Sequence, residues 1–313
     1  MFDLTFRLFG VSVKELSGTV QVWHADVRYF VLEENGKRIA SFYLDPYARP
    51  ESKNGGAWMN SFRTRDGADK NPVAVLVCNQ AVPTAGEPVL MRFDEVTTLF
   101  HEFGHALQHM LTEITEPMAS GINGIEWDAV EVASQFMENF CYDRTSVRKL
   151  SRHVCSGETI PDELFEKVCR ARNFMAGTAL MRQLYFGLTD LELYARYPEN
   201  GAASADEVKR RIAAKILVRP IPDYDRFLCG FSHIFGGGYA AGYYSYKWSE
   251  VMAADLFGFF EGIDSDSKLR DFGLRLRRTL LGQGGGMAPD EVFRMFSGRD
   301  PEVKSLLRQC GLL

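Results

Sequence analysis

The sequence contains few cysteines, and they form no close pair. Six cysteines are spread over 313 residues, and none has the two-residue spacing of a zinc ribbon or a redox motif. We therefore expect reduced thiols and a cytosolic or organelle-interior compartment. The six are Cys78, Cys141, Cys155, Cys169, Cys229 and Cys310.

Long hydrophobic runs and an excess of positive charge are also missing. No apolar stretch approaches the roughly 18 residues of a membrane helix, and Asp3 and Arg7 interrupt the start, where a signal peptide would be apolar. The formal net charge of −5 provides no basic surface for nucleic acid. We expect a soluble, unsecreted protein that binds neither membrane nor nucleic acid. It would work in the cytoplasm or, alternatively, in an organelle lumen after removal of a transit peptide.

The chain is instead rich in patterned secondary structure. Hydrophobic residues make up 46% and charged residues 25% of the sequence, which is typical of a folded enzyme. We predict a mainly α protein with a small β-sheet (α+β), folded as one domain over residues 1–313. Its strand-rich part covers about 18–80, with strands at 20–23, 28–32, 39–43 and 73–78 and a hairpin turn at 34–37. Its helical part covers about 90–313, with helices at 94–111, 127–143, 161–180, 204–215, 246–260, 266–281 and 290–297.

One motif carries most of the chemical information. It reads His101-Glu102-Phe103-Gly104-His105 and falls on a predicted helix. Residues four apart on a helix differ by a rise of about 6 Å and a rotation of about 40°, so both imidazoles can reach one ion. Zn²⁺ accepts nitrogen and oxygen ligands, and in a catalytic site it keeps one position open for water. The motif predicts a site for one zinc ion per chain.

Glu102 has a separate predicted role as the general base. The ion would make its bound water acidic enough to ionise near neutral pH. A carboxylate next to the first histidine can accept that proton while the water attacks a carbonyl, and can then protonate the leaving amine. The motif thus favours a zinc hydrolase.

The third metal ligand is not determined by spacing. His109 lies eight residues from His101, a rise of about 12 Å on one helix, which is too far to share an ion. A turn at 120–124 and a second predicted helix would bring several carboxylates back past the first helix. Glu126 and Asp128 are equally well explained as the start of that helix. Glu131 and Glu138 lie on the same face of the helix, so the pattern does not choose between them as the third ligand.

Two segments resemble a known family. The run His-Glu-Phe-Gly-His-Ala-Leu-Gln-His at 101–109 and the run Trp-Asp-Ala-Val-Glu-Val-Ala-Ser-Gln-Phe-Met-Glu-Asn-Phe at 127–140 are similar to the oligopeptidase A and thimet oligopeptidase family of zinc peptidases. The resemblance implies a zincin-like catalytic domain, with Glu131 as the third ligand on a return helix. Ala133 stands where that family has a proline.

A later block strengthens the resemblance. Residues 231–248, Phe-Ser-His-Ile-Phe-Gly-Gly-Gly-Tyr-Ala-Ala-Gly-Tyr-Tyr-Ser-Tyr-Lys-Trp, are similar to the family's glycine-rich loop and the tyrosines after it. By that likeness Tyr239 and Tyr246 would stabilise the developing oxyanion, and His233 would help to bind substrate. For Tyr243 and Tyr244 we expect aromatic packing.

The resemblance covers nearly all of the chain but only the catalytic half of the family's longer proteins. It implies a zinc endopeptidase that cleaves internal bonds of short peptides, working as a monomer or with a separate polypeptide that supplies the N-terminal helical half. A peptide could add to the sheet beside the cleft if strand 73–78 is its edge. Two alternatives stay open: a noncatalytic or partner-dependent peptide-binding protein, and a dipeptidyl carboxypeptidase on the same fold.

Overall fold

The protein is mostly helical with one small sheet, as predicted. The computed structural model describes residues 1–84, 87–197 and 202–313. The helices are α1 Phe2–Phe9, α2 Phe93–Met110, α3 Trp127–Val130, α4 Val132–Asn139, α5 Arg144–Leu150, α6 Asp162–Arg172, α7 Ala176–Ala195, α8 Ala205–Ile216, α9 Ser232–Phe235, α10 Ser245–Phe257, α11 Asp266–Leu276, α12 Pro289–Ser297 and α13 Val303–Gln309. Within these described ranges, no helix is long and apolar enough to cross a membrane.

The sheet has five strands in the order β1-β2-β3-β5-β4. They are β1 Ser12–Glu15, β2 Arg28–Glu34, β3 Lys37–Tyr47, β4 Trp58–Arg63 and β5 Val73–Gln80. β3 and β5 run parallel, and the other neighbours are antiparallel. The predicted hairpin turn is confirmed, because Asn35 and Gly36 have φ of 50° and 76°, the left-handed values that a tight two-residue turn requires.

One predicted strand is absent, and another is present but does not lie at the sheet edge. Residues 20–23 form no strand, and the Trp23 indole nitrogen instead donates to Asp45, 2.8 Å away. The strand at 73–78 is not a sheet edge, because β4 pairs with its outer side. Alternating side chains could not reveal this order, since β4 precedes β5 in sequence but lies outside it. The edge strand on this side of the sheet is therefore β4, and β1 is the other edge strand.

Two predicted helices are broken. The helix predicted at 161–180 ends at Arg172 and restarts at Ala176, because Met175 has a left-handed φ of 54°. The helix predicted at 127–143 is interrupted at Glu131, between α3 and α4. Helices α1, α5, α9 and α13 were not predicted, and neither was the part of α7 after residue 180.

Two hydrophobic clusters organise the fold. The main core joins the sheet to α1, α2, α4 and the later helices α10–α12, around buried side chains such as Phe42, Phe103 and Phe136. The second core is smaller and joins α7, α8 and the segment before α10, through Tyr185, Phe186, Ala213, Phe231, Ile234 and Tyr243. That residues 1–313 form one domain stays a prediction.

Helices α2 and α4 touch along their backbones. A Cβ placed on Gly104 would lie 2.5 Å from the Ser134 Cα and 2.6 Å from the Ala133 carbonyl oxygen. These distances are far below van der Waals contact, so only glycine fits at this crossing. The close approach brings the side chains at the start of α4 onto the face of α2 that carries the motif.

Candidate active site

Helix α2 presents the motif because its opposite face is buried in the main core. Asp94 and Glu95 lie in its first turn, where negative charge favours the helix dipole. Phe103 and Leu107 are fully buried, which fixes the rotation of the helix about its axis. His101 and His105 then lie side by side, with ring centroids 4.9 Å apart.

Glu131 closes the group from the junction between α3 and α4. Its Oε2 lies 3.2 Å from Nε2 of His101 and 3.1 Å from Nε2 of His105. The three residues each offer one ligand atom, and these three atoms lie within 4.8 Å of one another. The Ser134 hydroxyl donates to the same Glu131 oxygen over 3.1 Å and orients the carboxylate.

The charge distribution of this group suits a divalent cation. Burial alone would raise the pKa of Glu131, but hydrogen bonds to His101 and His105 lower it overall. Burial would likewise lower the pKa of His101, yet hydrogen bonds to Glu131 and Glu138 raise it to about 10. The Glu131 carboxylate is thus stabilised by positive charge beside it. A bound metal ion would provide that charge while both imidazoles stay neutral. Two neutral imidazoles and one carboxylate are a donor set that Zn²⁺ accepts.

Glu138 contacts the other nitrogen of the same imidazole. Its Oε1 lies 2.5 Å from Nδ1 of His101. The sequence could not choose between Glu131 and Glu138 as the third ligand. Both carboxylates contact the His101 ring, Glu131 at Nε2 and Glu138 at Nδ1. Glu138 is therefore placed to hold the ring and its tautomer rather than to complete the ligand set.

Glu102 is buried next to the three donor residues but outside them. Its side chain is in contact with the same cavity as His101 and His105, and the residue is 5% exposed. Burial raises the pKa of its carboxyl group above the ordinary value. A carboxylate with a raised pKa is better matched to accepting and returning a proton near neutral pH.

The remaining acidic and histidine candidates lie elsewhere. Glu126 precedes α3 as its N-cap residue. Asp128 accepts a hydrogen bond from the Tyr244 hydroxyl. The Nε2 of His109 lies 2.9 Å from the Arg63 carbonyl oxygen, two turns further along α2 than His101. None of the three belongs to the His101, His105 and Glu131 group.

The glycine-rich segment brings aromatic side chains to this group. The Tyr239 hydroxyl donates to Oε1 of Glu131 over 2.6 Å. The rings of Tyr239 and Tyr246 stack with centroids 4.8 Å apart, and His233 lies 6.0 Å from each ring. Burial raises the pKa of both tyrosines, so their hydroxyls stay protonated and can act as hydrogen-bond donors.

Tyr243 and Tyr244 are held by other contacts. Tyr243 is buried in the second core, and its hydroxyl donates to the Gln183 side chain over 3.0 Å. Tyr244 is anchored at Asp128, as described above. Tyr243 thus packs among aromatic rings as expected, whereas Tyr244 is 37% exposed and is held by its hydrogen bond to Asp128.

A cavity of about 690 Å³ joins these parts. Its lining includes Trp58, Met59 and Asn60 of the edge strand β4 and also His233, Tyr239 and Tyr246. His101, Glu102, His105 and Glu131 line it as well. A site of this size, lined by a free strand edge and by hydroxyl donors, can accommodate an extended peptide.

Comparison with known proteins gives close relatives. The chain is 50% identical to "Organellar oligopeptidase A, chloroplastic/mitochondrial" of Arabidopsis thaliana, over 100% of this chain and 41% of that protein. It is 45% identical to "Oligopeptidase A" of Escherichia coli over 100% of this chain and 46% of that protein. It is 35% identical to "Dipeptidyl carboxypeptidase" of Escherichia coli, over 98% and 45%. The chain spans less than half the length of these relatives.

Solved structures and family patterns complete the comparison. A structure titled "Structure of Pyrococcus furiosus Carboxypeptidase Apo-Mg" matches with a TM-score of 0.56 and 16% identity, over 86% of this chain and 53% of that one. This likeness concerns the fold alone. Residues 1–312 match the sequence pattern of Peptidase family M3. This match and the 45–50% identity to oligopeptidase A proteins confirm the resemblance, and the chain belongs to peptidase family M3.

Proposed function

We propose that this chain is a zinc-dependent endopeptidase that hydrolyses internal bonds of short oligopeptides. The observation that carries the proposal is the convergence of His101, His105 and Glu131 beside the buried Glu102. The relatives named oligopeptidase A support the same activity. On this proposal, residues 1–313 act as one catalytic domain of the zincin-like type.

Three side chains would hold one Zn²⁺. They are His101 and His105 through Nε2 and Glu131 through its carboxylate, and Nδ1 of His105 is buried with no hydrogen-bond partner among the described residues. When bound, the ion supplies an acidic water and polarises the substrate carbonyl. The side chains of the site would then move the protons and stabilise the negative charge on the carbonyl oxygen.

Glu102 would move the protons. Its buried carboxylate accepts a proton from the attacking water and later donates it to the amine that leaves. Burial raises the pKa of the Glu102 carboxyl group, which favours its return transfer of the proton.

The aromatic side chains would act on the substrate carbonyl. Tyr239 and Tyr246 would donate hydrogen bonds to the carbonyl oxygen as negative charge develops there, and His233 would help to bind the peptide. Tyr239 must first release Glu131 Oε1, to which it now donates. Gly238, with φ of 87°, and its glycine neighbours allow the loop to make this movement.

The free edge of β4 would hold the peptide backbone. Residues 58–60 face the cavity, and β4 is the last strand of the sheet. An extended substrate would add to this edge as a sixth strand through main-chain hydrogen bonds, which bind a peptide without reading its side chains. Short peptides of varied sequence are the substrates that fit such binding.

Two details of the proposal concern partners and compartment. The chain would work as a monomer or with a separate polypeptide that supplies the part present in its longer relatives. Relatives named as cytosolic and as chloroplastic or mitochondrial support a cytoplasmic location or an organelle lumen.

A peptide assay tests the proposal. A quenched-fluorescent peptide should be cleaved by the zinc-loaded chain, and chelation should stop the cleavage until zinc is restored. Glu102→Gln should keep about one zinc per chain but lose activity by about 10³-fold, because general base catalysis is removed. Full activity in this variant, or in the presence of chelator, would refute the proposal.

Product analysis separates the alternatives. Mass spectrometry should find cuts inside the peptide. Stepwise release of C-terminal dipeptides would instead favour a dipeptidyl carboxypeptidase, which is the name of the relative with 35% identity. Binding of peptide with no cleavage would favour a noncatalytic peptide-binding protein.

A further inference from the structure

The segment with the catalytic tyrosines is attached to helix α7 by a buried carboxylate. Asp190 is 0% exposed, and it accepts a hydrogen bond from the Ala241 amide at Oδ1 and from the Tyr243 amide at Oδ2, each over 2.9 Å. Tyr239 lies two residues before this contact, and Tyr246 lies three residues after it. The contact is thus between the two side chains proposed to meet the substrate.

The carboxylate is balanced by backbone amides and not by a cation. Burial raises the pKa of Asp190, and hydrogen bonds from the amides of Tyr243, Ala241 and Gly242 act against this rise. Within the described residues, no ion pair to Asp190 is formed. A buried charge without a cationic partner is costly to keep, so its place here calls for a reason other than general stability.

The bound backbone is in a strained conformation. Ala241 has a φ of 54°, in the left-handed region that residues with a Cβ avoid. A left-handed residue in a turn lets successive amides point at one anion, which is how backbone concavities bind anions. The Asp190 carboxylate fills this role inside the protein, and it holds the strained turn that separates Tyr239 from Tyr246.

Helix α7 supports the same segment at two further points. The Gln183 side chain accepts from the Tyr243 hydroxyl over 3.0 Å, and the Tyr194 hydroxyl donates to the Ile234 carbonyl. Asp190 lies between these contacts along the helix. Of the three, only Asp190 binds the backbone between the two tyrosines that line the cavity.

We infer that Asp190 is a positioning residue for the peptidase reaction, which sets Tyr239 and Tyr246 relative to the metal-binding group by fixing the backbone turn at residues 241–243. This inference rests on the proposed function. Asp190 does not contact the substrate; it acts through the loop. Loss of its negative charge should therefore impair the chemical step more than the binding of peptide or zinc.

The test compares Asp190→Asn with Asp255→Asn, at a second buried aspartate, which differs from Asp190 in forming an ion pair with Arg299. Asp255 is 2% exposed and also accepts a backbone amide, that of Glu302, but it lies away from the cavity. Asp190→Asn should lower kcat by about 10- to 100-fold, since small misplacement of catalytic groups has effects of this size. Its KM should change by less than about threefold, with zinc content unchanged. Asp255→Asn should lower thermal stability but keep kcat within about twofold.

A double variant distinguishes positioning from general destabilisation. If Asp190 acts through the tyrosine loop, Asp190→Asn should lower kcat by less than about threefold in a Tyr239→Phe background, because coupled residues are not additive. An undiminished loss in that background would overturn the inference. Equal kcat values for Asp190→Asn and wild type would also overturn it.

Hydrogen exchange gives a readout that does not depend on activity. The amides of Ala241 and Tyr243 should exchange faster in Asp190→Asn than in wild type, while exchange across α2 stays unchanged. Unchanged protection at 241 and 243 would refute the positioning contact. A wild-type chain that cleaves no peptide would instead refute the proposed function, so the two failures are distinct.

Discussion

The metal-binding residues and the tyrosines come from two regions that are built differently. His101, His105 and Glu131 lie on α2 and at the start of α4, where the helices pack against the sheet in the main core. Tyr239 follows a glycine-rich loop that borders the second core. The first region fixes its side chains by close packing, whereas the second holds them through a few hydrogen bonds to α7.

The difference extends to the surfaces of the two regions. Helix α7 in the second region exposes a stripe of leucines, with Leu184, Leu188 and Leu191 exposed by 40%, 41% and 37%. Helix α2 buries its apolar residues in the main core. On the proposed function, ion binding would depend on the close-packed, rigid region and substrate activation on the adjustable region that is held by hydrogen bonds. Substitutions in the two regions should therefore change different measured quantities.

Among the variants that compare the two regions, the largest expected effect is in the adjustable region. Tyr239→Phe removes a hydroxyl that would donate to the charged carbonyl oxygen, and kcat should fall by about 10²- to 10³-fold. Zinc content should stay near one per chain, because the three proposed ligands remain and Glu131 loses only the hydrogen bond at Oε1. Steady-state kinetics and metal analysis measure the two quantities.

The matched control for this variant is Tyr244→Phe. The Tyr244 hydroxyl donates to Asp128, outside the donor group, so kcat should stay within about threefold of wild type. Loss of zinc from Tyr239→Phe would contradict the separation of the two regions, as would an equal loss of kcat in both variants.

A smaller effect is expected in the rigid region. Glu138→Gln removes the charge that holds the His101 ring, and zinc affinity should fall by about 10- to 100-fold. At saturating zinc, kcat should recover most of its value. Competition with a metal chelator gives the affinity. Glu166→Gln is the control, since Glu166 forms an exposed ion pair with Arg144, and its zinc affinity should equal that of wild type.

The smallest effect on catalysis is expected at the sheet, where Asp45 affects acid stability. Asp45 is 3% exposed. Burial would raise its pKa, but hydrogen bonds from Arg49, Trp23 and Lys53 lower it to about 2. An unfolded aspartate has a pKa near 3.9, so the depressed value stabilises the fold above that pH. The contribution, about 2 kcal/mol, is lost as the pH falls through the folded pKa.

Urea unfolding at several pH values tests this prediction. Asp45→Asn should be less stable than wild type at pH 7, and the difference should shrink by about 2 kcal/mol as the pH falls from about 5 to about 2. A difference that stays constant over this range would mean that Asp45 does not titrate as inferred. Zinc affinity and kcat at neutral pH should stay close to those of the wild type.

Local signals predicted the elements of the active site well. The motif helix was expected at 94–111 and is observed at Phe93–Met110, because acids at its start and apolar spacing agree with each other. The choice between Glu131 and Glu138 as the third ligand could not be made from spacing. Seven residues return to the same helical face, and the two carboxylates do contact the same ring.

Long-range features were harder to predict. The position of β4 at the sheet edge depends on which strands pair, and no local pattern contains that information. Asp190 gave no signal, because it lies outside the predicted helices and a single aspartate is typical of a solvated surface. Its partners at 241 and 243 are backbone amides, which every residue except proline has, so no residue type marks them.

The crossing at Gly104 has a consequence for the coordination sphere. Glycine in a helix costs about 1 kcal/mol relative to alanine, yet here a single methyl group would collide with the Ser134 Cα at 2.5 Å. Any side chain at this position would move α4 outward and carry Glu131 away from both imidazoles. The absence of a Cβ at residue 104 thus keeps Glu131 close to the two imidazoles. This spacing outweighs the low helix propensity of glycine.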